Sequence, residues 1–97
     1  MADAITVAPD HYKVIEENDK VRILEFRGSH GDKTSMHSHP AIVAIALSAA
    51  DVRFTIPGGQ TMDISLSAGQ AMYMDAADHA TEIMSSGAAH VILVELK

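Results

Sequence analysis

Six histidines among 97 residues, with no cysteine, make imidazole the side chain best placed to do chemistry in this chain. His37 and His39 stand two apart, immediately before Pro40. In an extended strand residues i and i+2 share a face about 7 Å apart, so the two rings can converge on one ion. The alternative is a strand entrance where both rings are simply solvated. Pro40 adds a restraint, because it pushes the preceding residue out of the α region and towards extended backbone. Imidazole nitrogens suit Fe, Ni, Cu and Zn. Two ligands from one strand rarely hold a metal tightly, so a third must arrive from elsewhere in the fold. His79 is the candidate, since it follows the Asp75-Ala76-Ala77-Asp78 turn and such a junction can lie beside the start of another strand. His90 competes with it, while His11 and His30 fall in expected loops or near a chain end.

Composition narrows the function classes. Without cysteine there is no disulfide framework and no thiolate nucleophile. A formal net charge of −6 opposes DNA, RNA and anionic lipid, which all call for a basic patch. The sequence has 47% hydrophobic and 21% charged residues, the balance of a chain that folds, and its length fits a single domain over residues 1–97. Aromatics are only 4% with no Trp. The core must therefore be built from aliphatics and methionine, a shallow supply that favours association with a second copy as a homodimer. The opening Met1-Ala2-Asp3-Ala4-Ile5 has no basic flank, and the apolar run Ala41 to Leu47 is far short of a membrane span. The expectation is a soluble, cytoplasmic protein without a membrane partner.

The elements that must position the histidines are strands. Apolar residues recur with period two, or in short runs, between turn signals every 8–12 residues, the rhythm of an all-β sandwich or barrel. Tyr12–Glu16 and Val21–Phe26 form a hairpin through Asn18-Asp19, residue types that tolerate left-handed backbone. Residues 28–35 read as a polar loop. Met36 to Leu47 is extended, and if no bulge intervenes Ala41, Val43, Ile45 and Leu47 continue the histidine face as an apolar lining. Val52, Phe54 and Ile56 alternate with polar residues, as do Met62, Ile64 and Leu66 beyond the Pro57-Gly58-Gly59 turn, giving a second hairpin. Short strands follow at Ala71–Met74 and His79–Met84. The β-branched run His90–Leu96 is long enough for a central or intersubunit strand. Residues 1–9 are expected to be a loosely ordered or dimer-contacting arm.

On these residues the chain resembles a known family. Gly31-Asp32-Lys33-Thr34-Ser35-Met36-His37-Ser38-His39 has the G-x5-H-x-H form of the first cupin motif. Gly69 to His79 resembles the second, G-x5-P-x-G-x-x-H, with Asp75 for Pro, Ala77 for Gly and the histidine one residue early. With Val52–Gly59 and the ending Val94-Glu95-Leu96-Lys97, the chain is similar to small single-domain cupins of the RmlC-like type, some labelled as β-alanine degradation proteins. The resemblance implies a six- to eight-stranded jelly roll with a metal inside, held by His37, His39 and His79. The Glu that cupins usually carry three or four residues after the second His is Val43 or Ala44 here, and the Asn four past the last His is Ile83.

A three-His site without a carboxylate keeps the full charge of a bound dication and leaves coordination positions open. The readings that follow are a metal-dependent enzyme, by dioxygen insertion into or hydrolysis of a small chelating substrate, a non-catalytic module binding metal or a small molecule, and a structural or regulatory partner that has lost its site. Tyr73 is a weak candidate proton donor, more often a packed strand aromatic. Asp75, Asp78 and Glu82 can accept the second N–H of His79, as outer partners of metal-bound histidines do, or stand as solvated turn charges. Met36, Met62, Met72, Met74 and Met84 could line a pocket with their thioethers but are read as core filler, since Met adapts to irregular gaps. Gly58-Gly59 is a turn and no phosphate loop, and no serine has a convincing triad partner.

Overall fold

The computed structural model describes residues 3–97. One short helix, α1 (Ala4–Val7), precedes nine strands: β1 (Tyr12–Glu17), β2 (Val21–Gly28), β3 (Lys33–His39), β4 (Ile42–Ala46), β5 (Ala50–Thr55), β6 (Thr61–Leu66), β7 (Ala71–Met74), β8 (Ala77–Ile83) and β9 (Ala89–Leu96). A five-stranded sheet in the order β1-β2-β9-β4-β7 faces a four-stranded sheet in the order β3-β8-β5-β6, and every pairing between these strands is antiparallel. This is the all-β jelly-roll sandwich expected from the period-two pattern, with nine strands among the described residues instead of six to eight. The inward residues Leu24, Phe26, Ile42, Ala44, Ile83, Val91 and Leu93 form the core. Burial of aliphatic area drives the two sheets together, at about 25 cal/mol per Å².

Two turns show the local physics. Gly58 (φ 99°) and Gly59 (φ 93°) take the left-handed backbone that closes the β5–β6 hairpin, where a Cβ would be strained. The β1–β2 turn departs from the expected left-handed Asn-Asp, for no non-glycine residue described has positive φ. There the Asn18 side-chain oxygen closes the turn instead, accepting from the Lys20 and Val21 amides at 2.7 and 3.0 Å.

Three further differences bear on the site. The loop read over residues 28–35 already contains the start of β3 at Lys33. The extended segment from Met36 to Leu47 is two strands in opposite sheets, because the chain crosses from one layer to the other at Pro40-Ala41. That crossing changes the parity. Ile42, Ala44 and Ala46 face inward, while Val43 and Ile45 face outward and Leu47 is exposed. Finally, of the arm expected over residues 1–9, residues 1 and 2 lie outside the described residues, and the part that follows is packed. Asp3 pairs with Ser38 and caps α1 by accepting from the Ile5 amide, and Ala4 is fully buried. β9 is central, flanked by β2 and β4.

Candidate metal centre

β3 and β8 bring the histidines together. Along this ladder Thr34 lies opposite Thr81 and His37 opposite His79, so β3 uses three steps where β8 uses two. The extra residue is a β-bulge, a device that re-aims side chains. It lets Thr34 and His37 both face inward although an odd number of steps separates them, while Ser35 and Met36 stay exposed. From His37 the ordinary alternation carries His39 to the same face. His37, His39 and His79 are at most 5% exposed, and one ligating nitrogen from each lies within 4.8 Å of the others. Their ring centroids are 4.8 to 5.1 Å apart.

The backbone and one carboxylate set the tautomers. His37 donates from Nδ1 to the Ser35 carbonyl in the bulge at 2.8 Å, leaving Nε2 with its lone pair. His39 is held from Nδ1 by Glu95 Oε2 at 2.9 Å, and its Nε2 is buried without any hydrogen-bond partner. An unpartnered buried polar atom is costly, so this nitrogen lacks a counterpart that an electrophile would supply. Phe54 stacks on His79 with centroids 4.2 Å apart and planes 7° from parallel, fixing the third ring. Burial, then the neighbouring His39 and His37, push His79 down to about 3, and burial likewise holds His37 below the usual imidazole value. Both are neutral at physiological pH, the form that ligates a metal.

Two site residues carry no signal in the motif. Glu95 faces inward from β9, 2% exposed, and accepts both from His39 and from Arg22 Nε at 2.7 Å. Burial alone would raise its carboxyl, but the hydrogen bonds from His39 and Arg22 outweigh it and hold the group below the usual carboxylate range. Arg22 continues to Asp3 at the cap of α1. Glu95 has the inward parity of Val91 and Leu93, and a charge on that parity is the signal that would have flagged it. Tyr12, buried on β1, places its hydroxyl 3.2 Å from His37 Nε2. Burial raises its phenol further above neutrality, so it keeps its proton.

The other sequence candidates stand elsewhere. Tyr73 is 58% exposed, because Met72 and Met74 on either side turn into the cavity and the strand period turns Tyr73 out. Asp75 is exposed between β7 and β8, and Asp78 accepts from Ser38 Oγ at 2.6 Å. Glu82 lies opposite Lys33 and Arg53 in the ladder register, on the outward parity. The carboxylate that orients a ring is thus Glu95 on His39, and not one of these three on His79. His90 binds Glu25 on the outer side of β9 at 2.9 Å. His11 and His30 bind the carbonyls of Arg27 and Ser85.

Beside the three rings lies a cavity of about 50 Å³ between the sheets. His39, His79, Tyr12 and Thr81 stand at its polar end, and Ile42, Ala44, Val52, Leu66, Met72 and Leu93 are among its apolar walls. Of the two positions where a cupin glutamate would be expected, Ala44 is the one facing this space and Val43 faces away. Met72 and Met74 line it, whereas Met36, Met62 and Met84 are exposed and do not act as core filler.

No protein-family model and no curated protein sequence matches the chain. Solved structures do resemble it. A cupin-domain protein from Bordetella pertussis Tohama I superposes with a TM-score of 0.79 at 20% identity, over 89% of this chain and 91% of that one. A conserved protein with a double-stranded β-helix domain from Klebsiella pneumoniae gives 0.69 at 15% identity, covering 88% and 74%. A single-substitution variant of oxalate decarboxylase from Bacillus subtilis gives 0.65 at 16% identity, covering 89% of this chain and 24% of that one. At these identities the likeness establishes the cupin-type double-stranded β-helix fold, and function has to be argued from the site.

Proposed function

We propose that this cupin-fold chain binds a divalent transition metal through His37, His39 and His79, and that the adjoining cavity takes a small, largely apolar ligand. The observation that carries the reading is His39 Nε2, buried without a partner beside two further neutral imidazoles. Fe, Ni, Cu and Zn all suit three imidazoles. When bound, such an ion supplies Lewis acidity and, for iron or copper, one-electron chemistry.

The chain's own groups do the rest. Glu95 fixes the His39 tautomer, the Ser35 carbonyl fixes that of His37, and Phe54 holds the His79 plane. With His37 Nε2 serving as a ligand, the Tyr12 hydroxyl now held against it would be free to donate to a molecule in the cavity. The cavity walls carry no Lys, Arg, Asp or Glu among the described residues, so a dianion such as a dicarboxylate would be desolvated there without a counter-charge, at a cost of several kcal/mol. A largely apolar body with its donor atoms turned towards the imidazoles avoids that uncompensated second charge. Within this reading a dioxygenase acting on a small chelating substrate is the enzymatic form, supported by the all-imidazole donor set and the dry walls. None of the similar structures described above bears a β-alanine-degradation label, and that label assigns no substrate here. A non-catalytic binding module is the second reading, favoured by the lack of a carboxylate base in the cavity lining.

The test is elemental analysis of untagged protein beside His37→Ala and His79→Ala. About one metal per chain in the wild type and a loss in both variants is expected; equal substoichiometric metal in all three would refute the metal reading. Oxygen uptake by the Fe(II)-loaded protein with β-dicarbonyl, thiol and amino-acid-derived acids then separates enzyme from module.

A further inference from the structure

Two threonines lie opposite each other on the inward side of the β3–β8 ladder, and the fold uses the hydroxyl of one of them. Thr34 Oγ1 accepts from the Thr81 amide at 3.2 Å, beside the bulge that sets the histidine register. Thr81 stands two residues after His79 on β8, shares the inward parity of His79 and Ile83, and is 5% exposed. Its own hydroxyl is buried with no hydrogen-bond partner among the described residues. Valine, which is β-branched and nearly the same size, suits a strand position of this kind equally well. The hydroxyl therefore adds nothing to packing, and a buried polar group left unpaired lowers stability. The proposed metal does not use it either, since its donors are the three imidazoles.

The cavity shows what this hydroxyl can meet. Thr81 lines it together with Tyr12, His39 and His79. Tyr12 and Thr81 are neighbours, for the Thr81 side chain acts on the Tyr12 phenol against the burial that raises it. The phenol nevertheless makes its hydrogen bond to His37 Nε2 at 3.2 Å. With His37 serving as a ligand, two uncharged hydroxyl donors are left side by side next to the imidazoles.

We propose that Thr81 and Tyr12 form a two-donor anchor for a carbonyl oxygen, and that the ligand is a short carbonyl compound whose alkyl part fills the apolar walls. The inference rests on the metal reading, because an ion on His37 is what releases the phenol. A carbonyl oxygen has two lone pairs and accepts from both hydroxyls at once. Two uncharged donors suit an uncharged acceptor, and no Lys or Arg lines the cavity to meet a second carboxylate. Size sets the rest. A cavity of about 50 Å³ has room for about three to five water-sized groups, which matches a ketone of about four carbons.

The experiment titrates zinc-loaded wild type, Thr81→Val, Thr81→Ser and Tyr12→Phe with 2-butanone and with 2-methyl-1-butene, in which a methylene group replaces the carbonyl oxygen. Binding is followed by ¹H–¹⁵N NMR, and zinc is measured in every sample. The wild type should prefer the ketone. Thr81→Val should weaken ketone binding about three- to tenfold, the worth of one uncharged hydrogen bond, and leave the alkene within twofold. Thr81→Ser keeps the hydroxyl and should keep the preference, while Tyr12→Phe should show the same selective loss as Thr81→Val. Thr81→Val should also melt no lower than wild type, since it removes an unpaired polar group; a Tm several degrees lower would place the hydroxyl in the fold and overturn the proposal. A wild type that binds neither compound, or both equally, overturns it too. Zinc-loaded Thr81→Val that binds the ketone as wild type does overturns the anchor and leaves the metal reading standing, whereas a wild type that takes up no zinc refutes the metal reading and the anchor with it.

Discussion

Replacing Glu95 with Gln tests whether one buried carboxylate both stabilises the fold and orients the site. Glu95 and His39 side chains are each 3% exposed and Arg22 is 18% exposed, so the carboxylate accepts two hydrogen bonds almost out of water. The amide of Gln keeps one acceptor oxygen. It can serve Arg22 or His39, and the other donor then faces an NH₂ group. A hydrogen bond to a charged group contributes about 1.5–3 kcal/mol. Breaking a fully buried pair costs about 3–5 kcal/mol, but Arg22 keeps Asp3 as a partner. A loss of about 2 kcal/mol follows, which for a domain of this size lowers Tm by about 8–16 °C. Orientation adds a second effect, since losing the outer partner of a ligating histidine typically weakens metal binding 10–100-fold. Thermal unfolding in chelator measures the first and zinc competition with a chromophoric chelator the second, with Ser38→Ala as a nearby control. A variant that melts within 2 °C of wild type and binds zinc within twofold would refute the argument.

Other outcomes follow from the same structure. The folded His79 imidazole does not take a proton until about pH 3, whereas in the unfolded chain it does so near 6.5. The unfolded state therefore binds more protons in this window. Chelator-treated protein should lose about 1.4 kcal/mol of stability per pH unit for this group as pH falls below 6.5; urea midpoints at pH 7.5 and 5, with His79→Gln showing a flatter dependence, check this. Metal occupancy should fall over the same range, because protons compete for the imidazoles, and retention at pH 4 by elemental analysis would point to other ligands. Ala44→Val should fill the cavity and abolish xenon binding in ¹²⁹Xe NMR while zinc affinity stays within twofold; apolar cavities of this kind take up xenon. Leu24→Ala, at a side chain with no exposure, should cost about 2–5 kcal/mol in urea unfolding, and a change below 1 kcal/mol would contradict the packed core described.

Local periodicity made much of this protein legible in its sequence. Period two over Val52–Ile56 and Met62–Leu66, with glycines between them, specifies a hairpin, because side-chain direction and turn conformation depend only on neighbouring residues. The same alternation placed His37 and His39 on one face, and their spacing from Gly31 carried the cupin resemblance. What lay beyond reach depended on contacts between distant segments. The parity of β4 turned on a layer crossing at Pro40-Ala41, and the alignment of His37 with His79 on one bulged residue in β3. Glu95 reaches His39 across 56 positions and Tyr12 reaches His37 across 25. Sequence by itself determined an all-β chain with two imidazoles on a common strand face. The packing of two sheets decided how His79, already named from the second motif, meets that pair and which phenol and which carboxylate join them, because pairing register and sheet assignment are set by the sum of long-range burial and not by any local residue pattern.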